Sequence, residues 1–297
     1  MAPFVFEQME DLRSLGMECE AYLISGGIKG YFKAIADIRK TIKRFSPDIL
    51  HAHYGLCGVI ANTQRAIPVV TTYHGSDLNN PSLRFVSFFS QLFSRVNLVV
   101  SEGLFKKTFF SKKTTLIPCG INSRLLTLMS KEQARDNLGW DSSSIYVLFS
   151  KEFYNKEKNY PLAKAAIEKY IEKYSKTIPV HLMEFIGYSR EEVHWLYNAV
   201  DCVIMTSHHE GSPQFIKEAM SCNCPVVSVD VGDVKQVISG VEGCYMAERT
   251  PEDLADKLHL AISHGKTSGR EKVSLEFDSL VAAEKIVRLY EKILGHE

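Results

Sequence analysis

Glu210 and Glu218 stand eight positions apart in EGSPQFIKE, residues 210–218, where the apolar run CVIMTS of 202–207 gives way to a helical pattern. The amides at a helix start have no partner inside the helix and can hold phosphate oxygens, while carboxylates accept from hydroxyls. The spacing predicts Ser212 as the helix cap and Pro213 as the first helical residue, with Gly211 leaving the backbone open beside them. At a rise of ~1.5 Å per residue, Glu218 would lie ~12 Å beyond Glu210, too far for one carboxylate dyad. The two would grip different parts of one elongated ligand, and a nucleotide sugar, with hydroxyls at both ends and a diphosphate between, has that shape. The plainer reading makes Glu210 a charge favouring the helix dipole and Glu218 a solvated helix residue.

These residues need a scaffold, and the chain shows one. Short apolar runs at 21–24, 48–53, 68–74, 97–101, 145–150, 180–185, 202–207 and 225–230 alternate with helical stretches, clearest over 31–45, 159–174, 191–199, 214–222, 251–263 and 280–294. That alternation predicts parallel sheets flanked by helices, the α/β class. Ligands of such sheets bind at the carboxyl ends of the strands, and those ends are polar here. One series closes with His51 and His53, then His74-Gly75-Ser76-Asp77, then Ser101-Glu102. The other closes with Lys151 and Glu152, Lys158 close behind, then His208, His209 and Glu210.

His51 and His53 alternate on one strand, so they share a face and could offer two ligands to a metal. The further ligands such a site needs are not recognisably spaced, and satisfied strand-end histidines are the commoner outcome. His74, followed by Gly75, could meet a sugar hydroxyl where backbone comes close. Lys158 could reach a diphosphate as a compact point charge, or be a solvated loop lysine. Gly26, Gly27 and Gly30 lack the dinucleotide fingerprint and the Walker pattern, and read as a flexible connection.

At 297 residues, 45% hydrophobic and 24% charged, the chain has room for two ordinary domains and the composition of a globular protein. Thirty-five basic and 35 acidic residues cancel, which argues against a dedicated nucleic-acid binder. Residues 1–115 nonetheless hold 14 Lys plus Arg against 9 Asp plus Glu, making the first half the side for anionic lipid or phosphate. Seven scattered cysteines form no disulfide framework, and Cys222 and Cys224 are one residue too close for a structural zinc pair. A reducing compartment and buried thiols follow, with no apolar stretch of membrane-spanning length and no basic-apolar leader. Pro118 and Gly120 break periodicity in LIPCGINSRLL, 116–126, where a domain boundary belongs.

DILHAHYGLCG at 48–58, VVTTYHGSDLN at 69–79, IPCGIN at 117–122, KNYPLAKAAI at 158–167 and EGSPQFIKEAMSCNCPVVSVDVGDV at 210–234 resemble, in order and spacing, the family 4 glycosyltransferases over nearly the whole chain. The resemblance implies a GT-B architecture of two Rossmann-like domains, residues 1–122 for the acceptor and 123–297 for the donor, with the last helix crossing back and the active site between them. It implies retaining transfer from a nucleotide diphosphate sugar to a glycan or lipid-linked acceptor, with no metal and no cofactor beyond the donor, in the cytoplasm or on the inner face of the membrane.

By the same resemblance Glu218 binds the donor ribose, Glu210 contacts the donor sugar, His74 stands near the reaction centre, and Lys158 neutralises the diphosphate with the amides of Gly211 and Ser212. Position 152, where the family commonly has arginine, is Glu152, leaving Lys151 as the adjacent cation without arginine's planar fork. The chain opens on what resembles the family's first helix and second strand, without the usual first strand and glycine-rich loop. Two other readings share the fold: a non-catalytic GT-B module binding nucleotide sugar or a partner enzyme, and a nucleotide-sugar epimerase or phosphorylase.

Overall fold

The computed structural model describes residues 2–25, 27–189 and 192–295. The chain forms two compact units, one of residues 1–120 with 279–297 and one of residues 121–278.

The first unit carries a four-stranded parallel sheet of β1 (Leu50–His53), β2 (Val69–Tyr73), β3 (Val96–Val99) and β4 (Thr114–Leu116), ordered β1-β2-β3-β4. All five residues of β2 are buried, as a run of β-branched and aromatic residues covered on both faces requires. Alternate residues serve opposite faces. Val70 and Leu98 pack with Leu12 of helix Pro3–Ser14 and with Ala283 and Ile286 of helix Ser279–Leu294. Thr71, Tyr73 and Asn97 meet helix Pro81–Phe93 and residues at its end through Ser94, Ser90 and Gln91.

Two expectations fail in this unit. The apolar run at 21–24 is not a strand: residues 17–25 have no regular structure, and β1 is the sheet's first strand. Propensity alone makes no strand, because a strand exists through its ladder. Gly27 and Gly30 are not a flexible connection but part of helix Gly27–Phe45, and Gly26 lies outside the described residues.

The second unit holds a five-stranded parallel sheet of β5 (Ile145–Phe149), β6 (Val180–Glu184), β7 (Cys202–Met205), β8 (Val226–Val229) and β9 (Cys244–Ala247), ordered β6-β5-β7-β8-β9. Its core joins these strands to helices Tyr160–Tyr174, Glu192–Ala199, Gln214–Ser221 and Pro251–His264. The helix expected from Glu191 begins at Glu192 as described, with Glu191 itself outside the described residues. β6 lies on one side of β5 and β7 on the other, so the winding reverses between β5 and β7, and ligands of open parallel sheets collect at such a reversal.

Candidate functional site

The exits of β5 and β7 meet at that reversal. Thr206 Oγ1, just past β7, donates to the carbonyls of Lys158 at 2.9 Å and Asn159 at 3.0 Å, and the His208 amide donates to the Glu157 carbonyl at 2.8 Å. The one-turn helix Lys156–Lys158, capped by the Asn155 side chain, is thereby fixed to the β7 exit loop. Its last residue points a cation at that loop: Lys158 Nζ lies 2.5 Å from Glu210 Oε1, both side chains largely buried. The lysine assigned to a diphosphate and the glutamate assigned to a sugar thus neutralise each other. A polyanion arriving there would compete with Glu210 for the ammonium and free the carboxylate to accept from hydroxyls.

The next turn departs from the sequence reading. Helix Gln214–Ser221 has Pro213 as its N-cap with no side-chain cap, so Ser212 is not the cap and Pro213 not the first helical residue. Ser212 Oγ instead donates to Asp233 Oδ2 at 2.5 Å and accepts from Lys217 Nζ, which also pairs with Asp233 at 3.2 Å. Lys217 is wholly buried and Asp233 nearly so, and a charge in that position survives only when paired. This group ties the loop at 210–213 to the loop after β8. Gly232, at φ 62°, completes the tie, because a Cβ there would stand 2.8 Å from the Gly211 carbonyl oxygen. Residues 210–213 are not helical, so the ~12 Å separation of Glu210 and Glu218 from helix rise does not apply.

Glu218 is 6% exposed, not solvated, and accepts a hydrogen bond from Tyr197 Oη at 3.0 Å. Burial, followed by the neighbouring carboxylate, pushes the Tyr197 phenol well above its ordinary value, fixing it as a donor. Lys151 pairs with its neighbour Glu152 at 3.5 Å and is about half exposed. Arg249, after β9, places a guanidinium against the carbonyls of Thr206 at 3.4 Å and Asp230 at 3.5 Å, at the same strand ends.

Lys217, Asp233, Tyr197 and Arg249 escaped the sequence reading. For Lys217 one cue existed: it sits inside FIKEAM, where the flanking apolar residues leave a central lysine only a paired, buried place.

In the first unit His51 and His53 do share a face, with rings stacked 4.7 Å apart, and His53 stacks on His74 at 5.3 Å. Five of their six ring nitrogens meet neighbours. His51 meets Tyr290 Oη at 2.5 Å and Thr72 Oγ1 at 2.7 Å, His53 Nδ1 meets His74 Nε2 at 3.0 Å, and His74 Nδ1 faces Cys119 Sγ at 3.8 Å. Burial pulls His53 down to about 4 and holds His51 and His74 well below their ordinary value, so all three are neutral near pH 7. Asp77 anchors the turn, accepting from the amides of Gly55 at 2.8 Å and His74 at 2.9 Å, with burial raising its carboxyl. Among the described residues no group of three or more His, Cys, Asp or Glu is arranged to hold a metal ion.

Comparison with known proteins matches residues 16–125 to the family model described as Glycosyltransferase Family 4 and residues 158–264 to that described as Glycosyl transferases group 1. Among curated relatives, the N,N'-diacetylbacillosaminyl-diphospho-undecaprenol alpha-1,3-N-acetylgalactosaminyltransferase of Campylobacter jejuni is 23% identical over 118 residues, 38% of this chain and 31% of that protein's length. Among solved structures, a sucrose-phosphate synthase from Thermosynechococcus elongatus superposes with a TM-score of 0.79 at 18% identity, covering 99% of this chain and 93% of the other. Anabaena HepE, solved in complex with UDP, superposes with a TM-score of 0.71 at 16% identity, covering 95% and 88%.

Proposed function

This chain belongs to the family 4 glycosyltransferases, and from that premise we propose that its second unit binds a nucleoside diphosphate sugar whose glycosyl group passes, with retention, to a glycan or lipid-linked acceptor. The observation that carries the proposal is the Lys158–Glu210 pair at the winding reversal, 2.5 Å apart beside the Lys217–Asp233 tie. Lys158 takes the diphosphate, helped by the amides of Gly211 and Ser212 and at the edge by Lys151. Glu210, once exchanged off Lys158, takes the sugar hydroxyls. Glu218, held by Tyr197, takes the ribose. His74, neutral, would exchange the long contact of its Nδ1 with Cys119 Sγ, 3.8 Å, for a hydroxyl of the transferred sugar, and no metal or further cofactor enters the proposal.

In the reaction the bond from the anomeric carbon to the diphosphate oxygen breaks, the bond from that carbon to an acceptor hydroxyl oxygen forms, and the hydroxyl proton passes to the departing diphosphate. Charge develops on the departing diphosphate, where a positioned ammonium is worth most. The solved complex of HepE with UDP supports a uridine donor as the first to test, and the Campylobacter relative's name supports a diphosphate-linked lipid acceptor. Polysaccharide assembly at the inner face of the cell membrane belongs to the same proposal.

Glu152 in the place of an expected arginine favours one rival, a module that binds the donor without turning it over. Single-turnover incubation with radiolabelled UDP-sugars and extracted lipid acceptor separates the two. We expect label in the lipid fraction with the anomeric configuration of the donor. Donor binding without transfer would establish the rival.

A further inference from the structure

Helix Pro81–Phe93 is built inside out. Its inward positions are Ser87, Ser90 and Gln91, with Ser94 closing the turn, all buried. Ser87 Oγ donates to the Asp77 carbonyl at 3.0 Å, Tyr73 Oη donates to Ser90 Oγ at 2.8 Å, Gln91 Oε1 accepts from the Phe109 amide at 2.9 Å, and Asn62 donates to Ser94 Oγ at 2.9 Å. Their small size lets helix Gly55–Ala61 come close, since a Cβ at Gly55 or Gly58 would collide with Ser87 or Ser90. The outward stripe, at a spacing of four, is Phe85, Phe89 and Phe93, exposed by 67%, 42% and 46%. Phe88 joins them to Phe109, itself exposed, through edge-on ring contacts of 5.4 and 5.2 Å.

A helix in water turns such a stripe inward. Here the polar face is inside, so the phenylalanines are matched to an apolar medium outside the protein. Cations surround them. Arg65 lies 4.4 Å from the Phe93 ring centre, Arg84 4.9 Å from Phe109 and Lys113 5.9 Å from Phe110. Residues 81–113 hold Arg84, Arg95, Lys106, Lys107, Lys112 and Lys113 against the single acid Glu102, which equals the entire positive excess of residues 1–115.

We propose that this face seats the first unit on an anionic lipid bilayer, with Phe85, Phe89 and Phe93 in the headgroup–acyl boundary and the surrounding cations on lipid phosphates. Among the described residues no helix is long and apolar enough to cross a membrane, and this contact lies in the interface plane. Charge complementarity favours lipid over a second copy, which would bring the same positive excess against itself. The purpose of the contact rests on the lipid-linked acceptor proposed above, but its test uses neither donor nor acceptor.

The full chain is co-sedimented with vesicles of phosphatidylcholine alone and of phosphatidylcholine with about one third phosphatidylglycerol. We expect binding to the anionic vesicles that weakens with salt and about fivefold for each of Lys106, Lys107, Lys112 and Lys113 changed to Gln. Combined Phe85→Ser, Phe89→Ser and Phe93→Ser abolishes it while the thermal unfolding temperature is kept, because these rings project from the core. Should that variant unfold, Phe89→Trp alone decides: both native tryptophans lie in the second unit, and the new indole's emission shifts to the blue on anionic vesicles. The proposal is overturned if the wild type stays in the supernatant, if the triple serine variant binds undiminished, or if sedimentation velocity shows a phenylalanine-dependent dimer that ignores vesicles.

Discussion

The two units end their strands in titratable side chains and treat them in opposite ways. In the second unit the charges are kept and paired, Lys158 with Glu210 and Lys217 with Asp233, around the point where the strand order reverses. Among the described residues the first unit's sheet runs β1-β2-β3-β4 without reversal, and burial strips the charge from His51, His53 and His74. Paired charge at a reversal can be exchanged for an anionic ligand at little cost, because the ligand replaces one neutralising partner by another. The neutral histidines are bonded to one another and to Tyr290, Thr72 and Cys119 and carry no charge to attract an anion. One set of strand ends thus has the exchangeable charge an anion needs, and the other is a neutral, internally bonded cluster.

The largest expected effect breaks the charged side. Lys217→Met leaves Asp233 buried without this ammonium, and should cost about 3 to 5 kcal/mol in urea unfolding. Adding Asp233→Leu should recover much of it, since the two residues act as one. A loss within ~1 kcal/mol for the single change would mean the tie does not hold the loop.

Next in size is the acid sensitivity of the histidine side. His53 titrates at about 4 in the folded chain against an ordinary 6.5, so the unfolded chain takes up a proton first as pH falls. Stability is full above 6.5, declines towards 4, and below that loses nothing further through His53. His53→Gln should flatten the fall of unfolding temperature over that window, and an unchanged slope would contradict its burial as a neutral ring.

Smaller effects sharpen the ligand side. Glu218→Ala should weaken nucleotide binding by about 1.5 to 3 kcal/mol, the worth of hydrogen bonds to a charged group. Tyr197→Phe, which removes only the donor that holds Glu218, should cost about 0.5 to 1.5 kcal/mol in the same titration. Equal losses would make Tyr197 a ligand contact in its own right.

The sheets were legible wherever an apolar run found a ladder. VVTTY reads as a buried parallel strand and is one, and the shared face of His51 and His53 follows from the two-residue period. The run at 21–24 looks equally strand-like but stands outside the sheet, a fact of pairing that no local pattern carries. Helix Pro81–Phe93 went unread because its phenylalanines mark the outer face and its serines the inner one, the reverse of the rule used to find helices. Glu210, Glu218 and Lys158 could be named from the sequence. The contact of Lys217 with Asp233 could not, because it joins helix Gln214–Ser221 to the loop after β8, which only the folded sheet brings together.

The central claim is that Lys158 is released from Glu210 to hold a diphosphate. Calorimetric titration of UDP into the wild type and into Lys158→Ala and Lys151→Ala tests it most directly. The account predicts binding to the wild type, weakened about tenfold or more by Lys158→Ala and by less than about threefold by the exposed Lys151→Ala. UDP binding of equal strength to the wild type and Lys158→Ala would contradict it.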